Sequence, residues 1–283
     1  MKIVKLINNK KQKLSKIIID NTQTGYNHAQ KIIRNKDVKV DGKRVKEDVE
    51  VEVGSKIEFY FTESVINIVY NDDDIVVAFK PRNIETYNET NSDFKTKVEE
   101  QINTQIFAVH RLDRNTEGLV VFAKNKPAKE SLDLAFKKRT IQKFYLALVS
   151  GNVKQQAKLV AYLKKDAAKS EVKISDKEVP GYEKIQTNYR LVETLGELSV
   201  LEVELVTGKT HQIRAHLAFV GNPIVGDEKY GDYNINKKYN KNYQCLSAYK
   251  MIFHFGQEDY LSRLEGMTIE LAKTEIDFLK NNK

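Results

Sequence analysis

The sequence predicts an α+β fold: a mixed, mainly antiparallel sheet with flanking helices, preceded by a small α+β unit. Predicted strands outnumber predicted helices and do not alternate strictly with them, which argues against a doubly wound parallel sheet. The 283 residues, of which 41% are hydrophobic and 30% are charged, are enough for two domains with proper cores. We therefore predict two domains, residues 1–62 and residues 63–283.

The first unit is predicted to contain two short helices, a hairpin and a closing strand. Apolar residues within 13–20 have helical spacing, and Asn27 is the expected N-cap of the second helix. Asp41 and Gly42 lie between alternating residues, a pattern typical of a type I′ turn, because both central positions need positive φ. Residues 55–61 form the closing strand.

In the second unit, short apolar runs predict strands and two amphipathic segments predict helices. The predicted strands are residues 75–79, 118–123, 142–149 and 198–206, and the predicted helices are residues 127–138 and 210–220. Residues 63–70 are expected to connect the two units. The Lys- and Asn-rich residues 234–242 are expected to form a loop.

Positive charge is concentrated at the start of the chain. The formal net charge is +8, and residues 1–62 hold 14 Lys and Arg against 8 Asp and Glu, a net of +6. Such an excess is the footprint of a polyanion-binding module, but charge alone indicates a solvated basic face equally well. The basic side chains of the second helix and the hairpin are Lys31, Arg34, Lys36, Lys39, Lys43, Arg44 and Lys46.

Several classes of protein are excluded by composition. The single cysteine, Cys245, allows neither an internal disulfide nor a cysteine-rich metal site. No apolar run approaches the length of a membrane span, and Lys5 interrupts the short apolar start, so no signal peptide is expected. A cytoplasmic protein with no membrane partner is therefore expected, and the charge pattern suggests a monomer.

The first unit resembles an S4-type RNA-binding domain. The resemblance lies in the helix pair, in residues 33–45 and in residues 53–57, and it covers about the first 60 residues. It implies that the seven basic side chains contact RNA. The physical expectation agrees, since a helix and a hairpin tip present Lys and Arg to phosphates.

The most informative segment of the second unit is residues 110–124, where Asp113 lies among arginines before an apolar strand. The guanidinium groups of Arg111 and Arg114 favour the ionised form of this carboxylate. An ionised and positioned carboxylate can serve as nucleophile or base. In isolation the same pattern would indicate only an ion pair on the surface.

This segment resembles the signature loop of RluA-type pseudouridine synthases: His-Arg-Leu-Asp, two variable residues, Thr, Ser and Gly, then a strand ending in Ala-Lys. Glu117 replaces the usual Ser, at a position to which we assign no chemistry. The resemblance implies that Asp113 is the essential catalytic residue. It also implies that Arg111 helps to displace the target base.

Three further motifs follow in the order of that family. Residues 143–147 resemble its Lys-x-Tyr-x-Ala strand, which implies that Tyr145 packs against the target uracil; alone, this residue could equally be a core tyrosine. Residues 207–216 resemble Thr-Gly-Arg-Thr-His-Gln-Ile-Arg-x-His, which implies that Arg214 pairs with the catalytic Asp. Lys209 replaces the first Arg of this motif and loses its bidentate fork. Residues 226–231 match a Gly-Asp-x-x-Tyr-Gly turn, which we interpret as structural.

The chain departs from the family pattern at two other places. Residues 82–86 lack the small and Gly residues that usually follow Lys-Pro, and Ser247 stands where His is usual. We expect both departures to affect substrate contacts or packing. No metal site is expected at His211 and His216, because a spacing of five residues does not place them on one helix face.

The resemblance implies isomerisation of specific uridines to pseudouridine in structured RNA, with large-subunit ribosomal RNA as the partner and no DNA. The reaction needs no cofactor, and the target base must leave its stack. Asp113 would act covalently at C1′ or as a base on the ribose, and both routes stay open. The alternatives are a non-catalytic RNA-binding factor and a glycosidic hydrolase, although hydrolases usually employ two carboxylates.

Overall fold

A computed structural model of the chain describes residues 2–22, 26–61, 66–88, 93–166 and 171–280, apart from the side chains of Lys2, Asn27 and His28. The backbone forms two compact units, Met1–Val65 and Ile66–Lys283. Of the predicted connector, residues 63–65 lie outside the described residues, and the prediction is wrong for residues 68–70, which belong to a strand paired with the next one. No helix in the described part of the chain has the length and apolar character needed to cross a membrane.

The first unit contains a four-stranded antiparallel sheet in the order β1-β6-β3-β4, a separate two-stranded pair β2-β5, and two helices. Its elements are β1 (Lys2–Ile7), β2 (Gln12–Lys13), α1 (Leu14–Thr22), α2 (Tyr26–Arg34), β3 (Val38–Val40), β4 (Lys43–Arg44), β5 (Glu50–Val51) and β6 (Lys56–Phe61). Buried aliphatic residues of both helices pack with Phe59 and Phe61 of β6.

The hairpin prediction is confirmed, because β3 and β4 pair and the φ angles of Asp41 and Gly42 are 49° and 80°. The N-cap prediction is wrong. Helix α2 begins at Tyr26, so the backbone of Asn27 is already helical. Strand β1 was not predicted, since its interrupted apolar pattern becomes a strand only through pairing with β6.

The second unit is built on one large sheet with the main strand order β13-β12-β14-β15-β11-β16-β10-β8-β7; β17 and β9 pair with β16 and β10. Its strands are β7 (Ile68–Asn71), β8 (Ile75–Lys80), β9 (Phe107–Ala108), β10 (Glu117–Ala123), β11 (Ile141–Ser150), β12 (Gln156–Asp166), β13 (Glu171–Ser175), β14 (Glu183–Leu195), β15 (Leu198–Leu205), β16 (Leu246–Phe253) and β17 (Thr268–Glu270). Its helices are α3 (Phe94–Ile102), α4 (Lys126–Lys138), α5 (Gln212–Phe219), α6 (Tyr233–Lys238) and α7 (Asp277–Lys280), with two 3₁₀ turns at Ser262–Leu264 and Lys273–Glu275.

The predicted fold class is confirmed. Among the strand pairs of the described residues, only β10 and β16 run parallel. The sheet has a core on each face: α4 and the C-terminal segment cover one, and α3 and α5 cover the other. Every residue of β10 is buried, because alternate side chains enter the two cores.

The expectation of a loop over residues 234–242 is wrong in part, because α6 occupies Tyr233–Lys238. Asp232 caps this helix, and its side chain accepts hydrogen bonds from the backbone of Asn234 and Ile235. The Lys and Asn residues suggested a loop, but an acidic N-cap placed directly before them starts a short helix.

Gly118 allows strands β10 and β16 to approach each other closely. Its φ is 124°, and a Cβ at this position would overlap the carbonyl oxygen of Ala248 on β16. Only glycine therefore allows β10 and β16 to pair here. Since residues 110–116 directly precede β10, this contact also positions the loop that carries Asp113.

Candidate active site

Asp113 lies in the wall of a cavity of about 940 Å³ in the second unit. The cavity is formed by residues 109–116, the start of β11, residues 205–211 and the first turn of α5. The carboxylate is 25% exposed, and the backbone amide of Thr116 donates to the carbonyl oxygen of Asp113 at 3.1 Å. The loop thus presents a half-buried carboxylate to a space large enough for a nucleotide.

Arg214 links two carboxylates. Its Nη1 donates to Asp113 Oδ2 at 3.0 Å, and its Nε and Nη2 donate to the two oxygens of Asp227 at 2.6 and 3.0 Å. The side chain of Asp227 is fully buried, and it also accepts from the backbone amides of Lys229 and Tyr230. The bidentate pair fixes the guanidinium plane, so that its remaining edge faces Asp113.

The ion pairs among Asp113, Arg214 and Asp227 stabilise the charged forms of Arg214 and Asp227. Burial opposes ionisation of Asp227, but the bonds from Arg214 and two backbone amides hold its pKa below the usual value. Burial likewise opposes the charge on Arg214, yet Asp227 and Asp113 raise its pKa. The guanidinium therefore stays charged beside Asp113, and the second carboxylate balances its charge.

His211 is a further neighbour of Asp113. Its Nε2 lies 3.9 Å from Asp113 Oδ2, and its Nδ1 is 3.0 Å from the hydroxyl of Tyr230. Burial lowers the pKa of His211 more than Asp113 raises it, so the ring is neutral near pH 7. His216 points elsewhere and contacts the hydroxyl of Thr187.

Tyr145 and Arg111 both line the cavity. Tyr145 is 5% exposed, and burial together with the nearby Asp113 charge raises its pKa, so the hydroxyl stays protonated. Arg111 is exposed, and its guanidinium lies 5.9 Å from the centroid of the Tyr87 ring. The structure therefore brings together all four residues of the second unit that the sequence singled out.

Lys80 stabilises the loop that carries Asp113 through hydrogen bonds to backbone carbonyl oxygens. Its buried Nζ donates to the carbonyl oxygens of Pro81 and Ile84 at 2.9 Å and of Arg114 at 3.2 Å. Burial lowers its pKa to about 7, against the attraction of Asp113 and Glu117. This lysine ties the turn after β8 to the loop that carries Asp113.

Lys80, Asp227 and His211 were not predicted from the sequence to have a functional role. All three lie inside segments that resemble family motifs, so the motifs contained a signal. Only the fold, however, places Asp227 against Arg214 and Lys80 beneath residue 114.

Three of the departures from the family pattern, at positions 82, 117 and 247, lie close together. Glu117 is 3% exposed and faces Ser247 across the parallel strand pair. Arg82 Nη1 lies 3.4 Å from Glu117, Nη2 lies 2.9 Å from Asp277 of α7, and the guanidinium lies 3.8 Å from the centroid of the Tyr243 ring. We call Arg82, Glu117 and Ser247 the departure cluster.

The seven basic residues predicted to bind RNA lie on the first unit. Lys31 and Arg34 are on α2, Lys39 is on β3, and Lys43 and Arg44 form β4. Lys36 and Lys46 lie just outside these elements. Lys39 is half-buried and pairs with Glu58 at 3.3 Å, and the other six side chains are exposed.

Comparisons with known proteins identify the family. Residues 74–219 match the model of the RNA pseudouridylate synthase family. The chain is 30% identical over 227 residues to the ribosomal large subunit pseudouridine synthase C of Vibrio cholerae, covering 71% of each chain. It is 32% identical over 252 residues to an uncharacterized RNA pseudouridine synthase of Mycoplasma capricolum, covering 79% of this chain and 81% of that relative.

The fold agrees with these matches. The human RNA pseudouridylate synthase domain containing 1 superposes with a TM-score of 0.59 at 21% identity, covering 78% of this chain and 97% of that one. The chain therefore belongs to the RNA pseudouridylate synthase family. It is an RNA-modifying isomerase, whose family converts uridine to pseudouridine in RNA.

Proposed function

We propose that this enzyme modifies uridines of large-subunit ribosomal RNA and that Asp113 is its catalytic residue. One observation supports the assignment of Asp113 as the catalytic residue. Asp113 lines a cavity of nucleotide size and is ion-paired with Arg214, which the buried Asp227 holds in place. The names of the relatives, among them the V. cholerae enzyme, support ribosomal RNA as the substrate.

The reaction breaks the N1–C1′ bond, turns the uracil and joins C5 to C1′. The proton on C5 is lost and N1 gains a proton, so no atom is added to the nucleotide overall. Asp113 serves either by attacking C1′ or by taking a proton from the ribose. Both routes need a positioned carboxylate, and the fixed guanidinium of Arg214 orients it through the bond from Nη1 to Oδ2.

Two further residues act on the target base in this proposal. Tyr145 lines the cavity, and we propose that its ring packs against the uracil. Arg111 is exposed at the same cavity and is free to occupy the space that the extruded base leaves. Extrusion costs a few kcal/mol, which such contacts offset.

We further propose that residues 1–62 form an S4-type domain that contacts RNA phosphates. Four exposed cations on one helix and one hairpin strand, and two more beside these elements, support this role. The affinity for RNA should therefore fall steeply with salt. The slope of the logarithm of affinity against the logarithm of salt should be smaller after removal of residues 1–62. Equal slopes for the two proteins would contradict the assignment.

Release of tritium from RNA labelled at uracil C5 tests the catalytic assignment. The wild type should release tritium from an unmodified ribosomal transcript, whereas Asp113→Ala and Asp113→Asn should release none. Asp133→Asn is the matched control, because it removes a partly exposed carboxylate of α4. Release by Asp113→Ala would show that another residue acts. Free uracil as product would indicate a hydrolase, and binding without release would indicate a non-catalytic factor.

A further inference from the structure

Lys143 is an unpaired cation in the cavity wall. It lies near the start of β11, and its Nζ is 5.5 Å from the centroid of the Phe136 ring. The side chain is half-buried, and it forms no hydrogen bond or ion pair with any residue that the structure describes. Two other lysines of the cavity and the sheet differ: Lys209 pairs with Glu183, and Lys250 pairs with Glu202.

The charges around Lys143 are positive or absent. Arg139 follows α4, lines the same cavity and forms no ion pair with a described residue. Burial and Arg139 together lower the pKa of Lys143 to about 8. Burial lowers the pKa of His110 to about 3, and its Nε2 accepts a hydrogen bond from the Val121 amide, so the imidazole adds no charge.

This arrangement is costly unless an anion completes it. A half-buried ammonium beside a second cation lacks the partner that such groups normally have in folded proteins. Gly208 faces Lys143 across the cavity wall, and a Cβ there would lie 3.4 Å from the lysine Nζ. The missing side chain leaves room beside the ammonium for the oxygens of a ligand.

We propose that Lys143 and Arg139 bind a phosphate of the RNA strand next to the target uridine. The inference rests on the proposed function, because the cavity that holds Asp113 then receives a nucleotide. A phosphodiester adjoins any extruded uridine and carries the charge that these two cations lack. The contact would position the ribose relative to Asp113 and would take no part in bond breaking.

The contact can be measured through the affinity for RNA. Binding of an unmodified large-subunit ribosomal transcript by Lys143→Met should weaken about tenfold to a hundredfold, the range for a lost charged hydrogen bond. The slope of the logarithm of affinity against the logarithm of salt concentration, here called the salt slope, should become shallower by about 0.7–0.9, which corresponds to one lost phosphate contact. Lys143→Arg should restore most of both values. Lys158→Met removes an exposed cation of β12 and should leave both unchanged.

A second measurement locates the phosphate. Uridine 3′,5′-bisphosphate should inhibit the wild type at a concentration at least about tenfold lower than uridine does, and Lys143→Met should lose this advantage. Melting temperatures establish that each variant is folded. An unchanged salt slope in folded Lys143→Met, or an unchanged preference for the bisphosphate, would overturn the inference.

The experiments distinguish a failure of the proposed function from a failure of the proposed phosphate site. If the wild type binds the transcript but releases no tritium, the isomerase assignment for this RNA fails, while the salt slope still reports the phosphate contact. If tritium release is normal and Lys143→Met binds like the wild type, only the phosphate site is wrong.

Discussion

Replacing Asp227 with Asn tests whether the second carboxylate holds the candidate active site together. The change keeps the shape of the side chain but removes the charge that Arg214 contacts through two bonds. Breaking one partner of a buried ion pair costs roughly 3–5 kcal/mol. Since each kcal/mol lowers the melting temperature of a domain of this size by about 2–4 °C, the expected loss is roughly 6–20 °C.

The loss of stability in Asp227→Asn should depend on pH. The folded-state pKa of Asp227 is depressed, so its contribution to stability is present above the ordinary aspartate value and is lost as pH falls through the folded value. The difference in melting temperature between wild type and Asp227→Asn should therefore be largest near pH 7 and should shrink in acid. Thermal unfolding at a series of pH values measures it.

A catalytic effect should accompany the loss of stability. Arg214 would keep its bond to Asp113 but would lose the contacts that fix its plane, so tritium release at saturating RNA should fall roughly tenfold to a hundredfold. Asp232→Asn is the control, because Asp232 caps α6 and asparagine caps a helix about as well, so this variant should melt close to the wild type. Equal melting temperatures for wild type and Asp227→Asn at pH 7 would refute the reasoning.

Two further predictions concern the supports of the loop that carries Asp113. Gly118→Ala should destabilise the protein by about 3 kcal/mol or more in chemical denaturation, because a Cβ would overlap the Ala248 carbonyl; Gly196→Ala, with no atom nearby, should cost only about 1–2 kcal/mol. Lys80 has a folded pKa of about 7, so the unfolded chain binds more protons above that pH. The stability of the wild type relative to Lys80→Met should therefore rise by about 2 kcal/mol from pH 7 to pH 9, and a constant difference would contradict the burial of the charge.

Local patterns were sufficient for much of the fold. The two positive φ angles at Asp41 and Gly42 and the strands β8, β10 and β11 follow from turn chemistry and from runs of apolar residues. The long strands β12 and β14 were not predicted. Their exposed and buried residues mix along the chain, and pairing with neighbouring strands determines them.

Only part of the candidate site could likewise be predicted from the sequence. Motif resemblance was enough to single out Asp113 and Arg214, which lie 3.0 Å apart although 101 residues separate them. It did not assign the role of Asp227, because its motif also fits a plain turn. The partner of a buried charge depends on the tertiary contact between α5 and the loop after it, and no local pattern records that contact.

The departure cluster has an evolutionary consequence. Glu117 and Ser247 stand where the family motifs that the sequence resembles have Ser and His, and Arg82 follows the Lys-Pro turn. The three side chains nevertheless lie in one neighbourhood. Their substitution energies should therefore be non-additive. Serine at position 117 alone would remove one of the two carboxylates that Arg82 contacts, and histidine at position 247 alone would crowd the glutamate. A path between this enzyme and its relatives must then cross a less stable intermediate or change these positions together, so the three residues are expected to be inherited as a unit.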